Sequence, residues 1–122
     1  MFKKLGVRTA DGPQEYSFEA NGITKIRYKQ FFHEDLNKAL DRLEPNSADY
    51  DSDVIDQLAF IMNMQARKKD MTSLTEEDYI AWLEHLEGGA TRWISTDILN
   101  IYIGNTKTTS KTKNQEGPQP AK

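Results

Sequence analysis

The chain has no cysteine, so it can form no disulfide, no thiolate metal site and no cysteine nucleophile. Long apolar runs are also missing: nothing approaches the ~18 residues that a membrane span requires. The opening MFKKLGVRTADG carries two lysines with no apolar stretch behind them, which predicts no secretory signal. Histidine is scarce, with two in 122 residues, and neither has a metal spacing such as H-E-x-x-H. A G-x-S-x-G elbow, a glycine-rich phosphate loop and a Rossmann fingerprint are all absent. The expectation is a soluble cytoplasmic protein that is not an enzyme and uses no metal or cofactor.

Acidic side chains outnumber basic ones over the apolar-rich part of the chain. Residues 104–122 hold Lys107, Lys111, Lys113 and Lys122 against Glu116, a net of +3. The whole chain is −3, so residues 1–103 carry −6. An acidic body argues against duplex nucleic acid as the main partner, because phosphate binding rests on a basic face. The lysine-bearing end reads as a solvated tail.

What is present is patterning. Leu5 and Val7 alternate with polar neighbours, Asp11-Gly12-Pro13 marks a turn, and Tyr16 and Phe18 alternate on the return. This predicts a β-hairpin within residues 1–22, closed by Asn21-Gly22. Helices follow in 23–103. The first is predicted from about Thr24 to Leu43, with Tyr28, Phe32, Leu36, Ala39, Leu40 and Leu43 in a ~120° arc.

Inside that helix, His33-Glu34-Asp35 looks at first like a ligand cluster. Three consecutive helical residues point in three directions and cannot converge on one atom. The run reads instead as the edge between a buried and a wet face.

A second helix is predicted from Ser52 to about Lys68, with Val54, Ile55, Leu58, Ala59, Ile61, Met62 and Ala66 as its core face. Phe60 and Met64 fall outside that face. A third begins at Thr75, followed by Glu76, Glu77 and Asp78, a near capping box. Tyr79, Trp82, Leu83 and Leu86 form its buried stripe, and His85 projects opposite. Gly88-Gly89 ends it. The last element, about Thr91 to Ile103, is read as a helix although its β-branched residues also suit a strand. It is apolar almost all round, which points to self-association. Residues 104–122 contain no large apolar side chain and are predicted to be disordered. The expected architecture is one mainly α domain over 1–103, about four helices with an N-terminal hairpin.

Five apolar residues lie off the faces that one small core would use: Phe31, Phe60, Met64, Leu99 and Tyr102. As a set they read as an interface, suited to an amphipathic helix from a partner or to another copy.

The order of pieces carries a resemblance: the hairpin, RYKQFFHEDL, DQLAFIMNMQARK, LTEEDYIAWLEHLE, an apolar helix and a lysine-bearing tail. Over most of residues 14–103 it resembles the tail assembly chaperones of long-tailed phages and prophages of Gram-positive bacteria. Its most telling parts are Tyr28 to Phe32 with Asp35-Leu36, Ala59 to Met62, and Asp78, Tyr79, Trp82 and Leu83. The family has a small residue where His33 stands. The resemblance implies a helper in the host cytoplasm that coats the tape measure protein and keeps it soluble. It would also help recruit tail tube protein and would leave before the virion is complete. It further implies a longer form made by translational frameshifting, with which Thr112-Lys113-Asn114 is compatible at the codon level. The alternative from another class is a small helical regulatory protein associated with nucleic acid.

Overall fold

Alternating side chains make the first element. β1 (Phe2–Thr9) and β2 (Gly12–Glu19) pair antiparallel, with Leu5 opposite Tyr16. The structure, a computed structural model, describes the backbone of residues 1–110 and the side chains of residues 1–104. Leu5, Val7 and Thr9 are buried, while Phe2, Lys4, Gly6 and Arg8 between them are exposed. Ala10 and Asp11 form the loop, and Gly12 follows with φ 93°, a conformation that favours glycine. The Thr9 hydroxyl donates to the Gly12 carbonyl at 2.6 Å and accepts from the Asp11 N–H at 3.2 Å. Ala20 N–H donates to the Met1 carbonyl, which fixes the register's parity. Pro13 then falls where its nitrogen faces away from β1, so its missing N–H costs no ladder bond.

The helix predicted over 24–43 is two helices. α1 (Thr24–Phe32) ends at His33, whose φ of 60° is left-handed, and α2 (Leu36–Asp41) starts afresh. The break has a local cause. Asp35 caps α2, accepting from the Lys38 N–H at 3.3 Å, and an aspartate that caps cannot also continue the preceding helix. The bend turns both pieces inward, so that Tyr28, Leu36 and Ala39 are fully buried. Within the bend, Glu34 is gripped by both guanidinium nitrogens of Arg42, which holds its carboxyl below the usual range.

α3 (Asp53–Ala66) is the central element. Ser52 precedes it but makes no side-chain cap. Asp51 does that work, its carboxylate accepting from the Asp53 N–H at 3.0 Å. The expected apolar face is buried except for Ala66, which is half-buried at the helix end, but so is every residue from Leu58 to Gln65. The hairpin, α1 and the C-terminal elements cover it from several sides, so no wet face remains there. The donor groups of two buried amides are matched to this setting. Asn63 donates to the Ser17 carbonyl at 2.9 Å and accepts from the Trp82 indole at 2.9 Å. Gln65 donates to the Glu19 carbonyl at 3.0 Å. Two amides thus satisfy the outer edge of β2. Tyr28 donates to the Gln57 amide oxygen at 2.6 Å, and burial pushes its pKa up to about 12.

α4 (Glu76–His85) has its predicted start: Thr75 and Asp78 form a reciprocal capping box. Leu86 then bridges to Thr9 of β1, a 3-10 turn covers Ala90–Ile94, and α5 runs over Ser95–Ser110. The last apolar stretch is therefore helical, as expected. It buries Ile94, Ile98, Ile101 and Tyr102 and exposes Trp93 and Ile103. Among the described residues the architecture is mainly helical, with five α-helices where about four were expected, because the first is split. The residues expected to form a disordered tail begin at Gly104 within the range of α5, and of them 111–122, with the Thr112-Lys113-Asn114 stretch, lie outside the described residues.

Candidate partner-binding site

The aromatic residues of α1, β2, α3 and α4 converge on Phe60. Its ring centroid lies 5.4 Å from Phe31, 5.1 Å from Tyr79 and 5.5 Å from Trp82. Phe31 continues the series to Phe32 at 4.8 Å, and Trp82 to Tyr16 at 6.4 Å. Tilted and edge-on ring pairs of this kind contribute roughly 0.5–1.5 kcal/mol each beyond their buried area. The cluster is mostly covered. Burial raises the phenol pKa of Tyr79, and also that of Tyr16 against a smaller opposing pull from Arg67.

Two clefts open onto this cluster. One, of about 350 Å3, is lined by Phe31, Arg27, His33, Met71 and Leu74 among others. The second, of about 310 Å3, is lined by Phe60, Met64, Trp82, Tyr16, Leu74 and Arg67 among others. Leu74 belongs to both linings, so the clefts flank one side chain. The segment that places it is ordered by short-range bonds. Lys68, with φ 59°, turns the chain out of α3. The Asp70 carboxylate then accepts from the Thr72 hydroxyl at 2.7 Å and from its N–H at 3.0 Å, which lowers the Asp70 pKa.

The five residues singled out from the sequence divide. Phe31 is partly buried and lines the first cleft, while Phe60 and Met64 line the second. Their side chains are not free surface: Phe60 is 1% and Met64 4% exposed, so they form floor rather than projecting anchors. Tyr102 is 8% exposed and packs in the core beneath α5, so it too is not the surface residue expected. The reason is common to all three. Stripe arithmetic assumes one covered face, and here α3 and α5 are covered from more than one side. Leu99 is partly buried and lines a separate cleft with Leu43, Ile55 and Asp56.

Sequence reasoning did not single out Leu74, Met71, Trp82 or Tyr16 for this site. Leu74 had a readable signal, since it precedes the Thr75 cap at the position of a hydrophobic staple. Met71 stood alone among polar residues, with nothing in the sequence to tie it to Phe31.

Both histidines are peripheral. His33 lies on the rim of the first cleft, and His85 sits 3.7 Å from Asp11 on the surface. Among the described residues no group of three or more His, Asp or Glu side chains is placed to hold a metal ion. No described helix is long and apolar enough to cross a membrane. The paired clefts offer apolar floor, methionine and a rim of mixed charge (Arg27, Arg67 and Lys69 with Glu76 and Asp78). Such a surface can hold an apolar or amphipathic segment of another chain. No protein-family model, curated protein or solved structure matches this chain.

Proposed function

We propose that the protein is a tail assembly chaperone, which binds the tape measure protein of a long-tailed phage, keeps it soluble and helps bring tail tube subunits to it. The observation that carries this reading is the pair of clefts meeting at Leu74, floored by Phe31, Phe60 and Met64. A helix with apolar residues at i, i+3/i+4 and i+7 spaces its anchors about one turn apart, which suits two adjoining hollows. Methionines on both sides, Met71 and Met64, let the lining adapt to successive segments of a long helical partner. His33 departs from the small residue of the resembled family, and it holds the left-handed conformation that glycine takes most easily.

Copies of the chain would associate through the open end of the hairpin. Met1 and Phe2 are 49% and 55% exposed there, and Ile103 is 40% exposed. Gly104 of α5 lies against this end, where a Cβ would come 2.9 Å from the flexible tip of the Met1 side chain. The protein would act in the host cytoplasm and be absent from the finished virion.

The test is co-expression with fragments of a tape measure protein encoded beside this gene. Fragments that are insoluble alone should become soluble with the chain present. If they stay insoluble while the purified protein shifts duplex DNA in a salt-dependent way, the nucleic-acid reading replaces this one.

A further inference from the structure

Away from the paired clefts, a third cleft of about 350 Å3 opens where the start of α3, the 3-10 turn and the start of α5 meet. Leu43, Ile55 and Leu99 give it apolar walls, and Tyr50 lines it while remaining 55% exposed. Its distinctive group is Asp56. The hydroxyl of Thr91, itself only 7% exposed, donates to Asp56 Oδ1 and fixes the carboxylate in place. Among the described residues no donor reaches Oδ2 and Asp56 takes part in no ion pair. Nearby Asp51 leans toward Arg42 at 3.9 Å, and Arg42 is already held by Glu34. Arg92 is the one cation in the lining, and it is not bonded to Asp56.

We propose that this cleft is a binding pocket for a lysine or arginine side chain presented by a partner protein. A half-buried carboxylate, held in one orientation and lacking a cation, is completed by a charged donor entering from solvent. The apolar walls match the aliphatic stem of such a side chain, and the exposed Tyr50 ring offers a face to its charged head. Charge complementarity selects this occupant over a purely apolar one, which would strand Asp56 away from water. The pocket shares no lining residue with the clefts around Leu74 and stands or falls independently of the tape measure reading.

The test is an NMR titration of the full chain with Nα-acetyl-arginine amide, with Nα-acetyl-norleucine amide as the apolar control. The arginine probe should give saturable shifts at the amides of Ser52, Gly89, Thr91 and Leu99, and the control should not. Asp56→Asn keeps an oxygen to accept from Thr91, so the fold is retained. It should weaken the arginine probe roughly fivefold or more, as loss of a charged hydrogen-bond acceptor does. Arg92→Ala, which removes a competing positive charge, should tighten binding. Shifts that fail to saturate, that persist unchanged in D56N, or that norleucine reproduces would overturn the proposal. So would binding that appears only when Lys111, Lys113 and Lys122 are changed to glutamine, because the occupant would then be the chain's own tail.

Discussion

Replacing Asn63 by leucine probes the junction on which the fold turns. This one amide joins three elements: it donates to the Ser17 carbonyl on β2 and accepts from the Trp82 indole on α4, both at 2.9 Å. It is 3% exposed and Trp82 is 8% exposed, so water cannot readily replace either bond. Leucine has a similar shape, and the change therefore isolates polarity from volume. It leaves a carbonyl and an indole N–H without partners, at about 1–3 kcal/mol each. Added apolar burial returns about 1 kcal/mol, so a net loss of about 1–5 kcal/mol is expected. Against a total of roughly 5–15 kcal/mol this is severe, and the melting temperature should fall on the order of 10–20 °C. Urea unfolding followed by circular dichroism at 25 °C measures it. Trp82→Phe strands the Asn63 oxygen in the same way, so the double variant N63L/W82F should cost less than the two single changes added together. A loss under about 0.5 kcal/mol for N63L, or strict additivity in the cycle, would refute the claim that this amide ties hairpin to helices.

His33→Gly should stabilise the protein by a few tenths to about 1 kcal/mol, since the left-handed penalty removed exceeds the extra freedom gained by the unfolded chain. His33→Ala should give no such gain, and equal midpoints of urea unfolding for the two would contradict the assignment. Thr75→Ala removes the side-chain arm of the α4 capping box, leaving the Thr75 backbone N–H donating to Asp78, and should cost about 1 kcal/mol, while Thr75→Ser should be nearly silent. Asp56 gives a pH signature. Burial raises its pKa in the folded state above the ordinary 3.8, so its ionisation opposes folding once the pH rises through that value. Asp56→Asn should therefore stabilise the protein at pH 7, by up to about 1 kcal/mol, and the gain should disappear near pH 3. An unchanged or opposite difference across that window would show that the carboxylate is adequately solvated.

The hairpin and the start of α4 were legible because each has a short-range code, two-residue alternation in one and a cap with its acid three residues on in the other. The break at His33 was not. No glycine marks it, and the apolar stripe of residues 28–43 keeps helical spacing across the bend; Asp35 before Leu36 was the one available cue. Burial of Phe60 and Met64 depended on partners far along the chain, namely β2, α1 and α4, so no count along α3 alone would reveal it. Nothing along α3 marks Asn63 and Gln65 as buried, and only the bare edge of β2 explains them. Of the candidate site, Phe31, Phe60 and Met64 were found as surplus apolar residues. Leu74 and Met71 needed the fold, because a 67–75 connection has no periodicity from which to infer what it covers.

The central claim is that the surface around Leu74 is where this protein holds its partner. Hydrogen exchange of the full chain, with and without a tape measure fragment that it solubilises, tests this most directly. Slowed exchange concentrated in residues 27–33, 64–78 and 81–85 is the result expected. Protection confined to β1 and the Trp93 turn, with those three segments unchanged, would place the contact elsewhere and contradict the account.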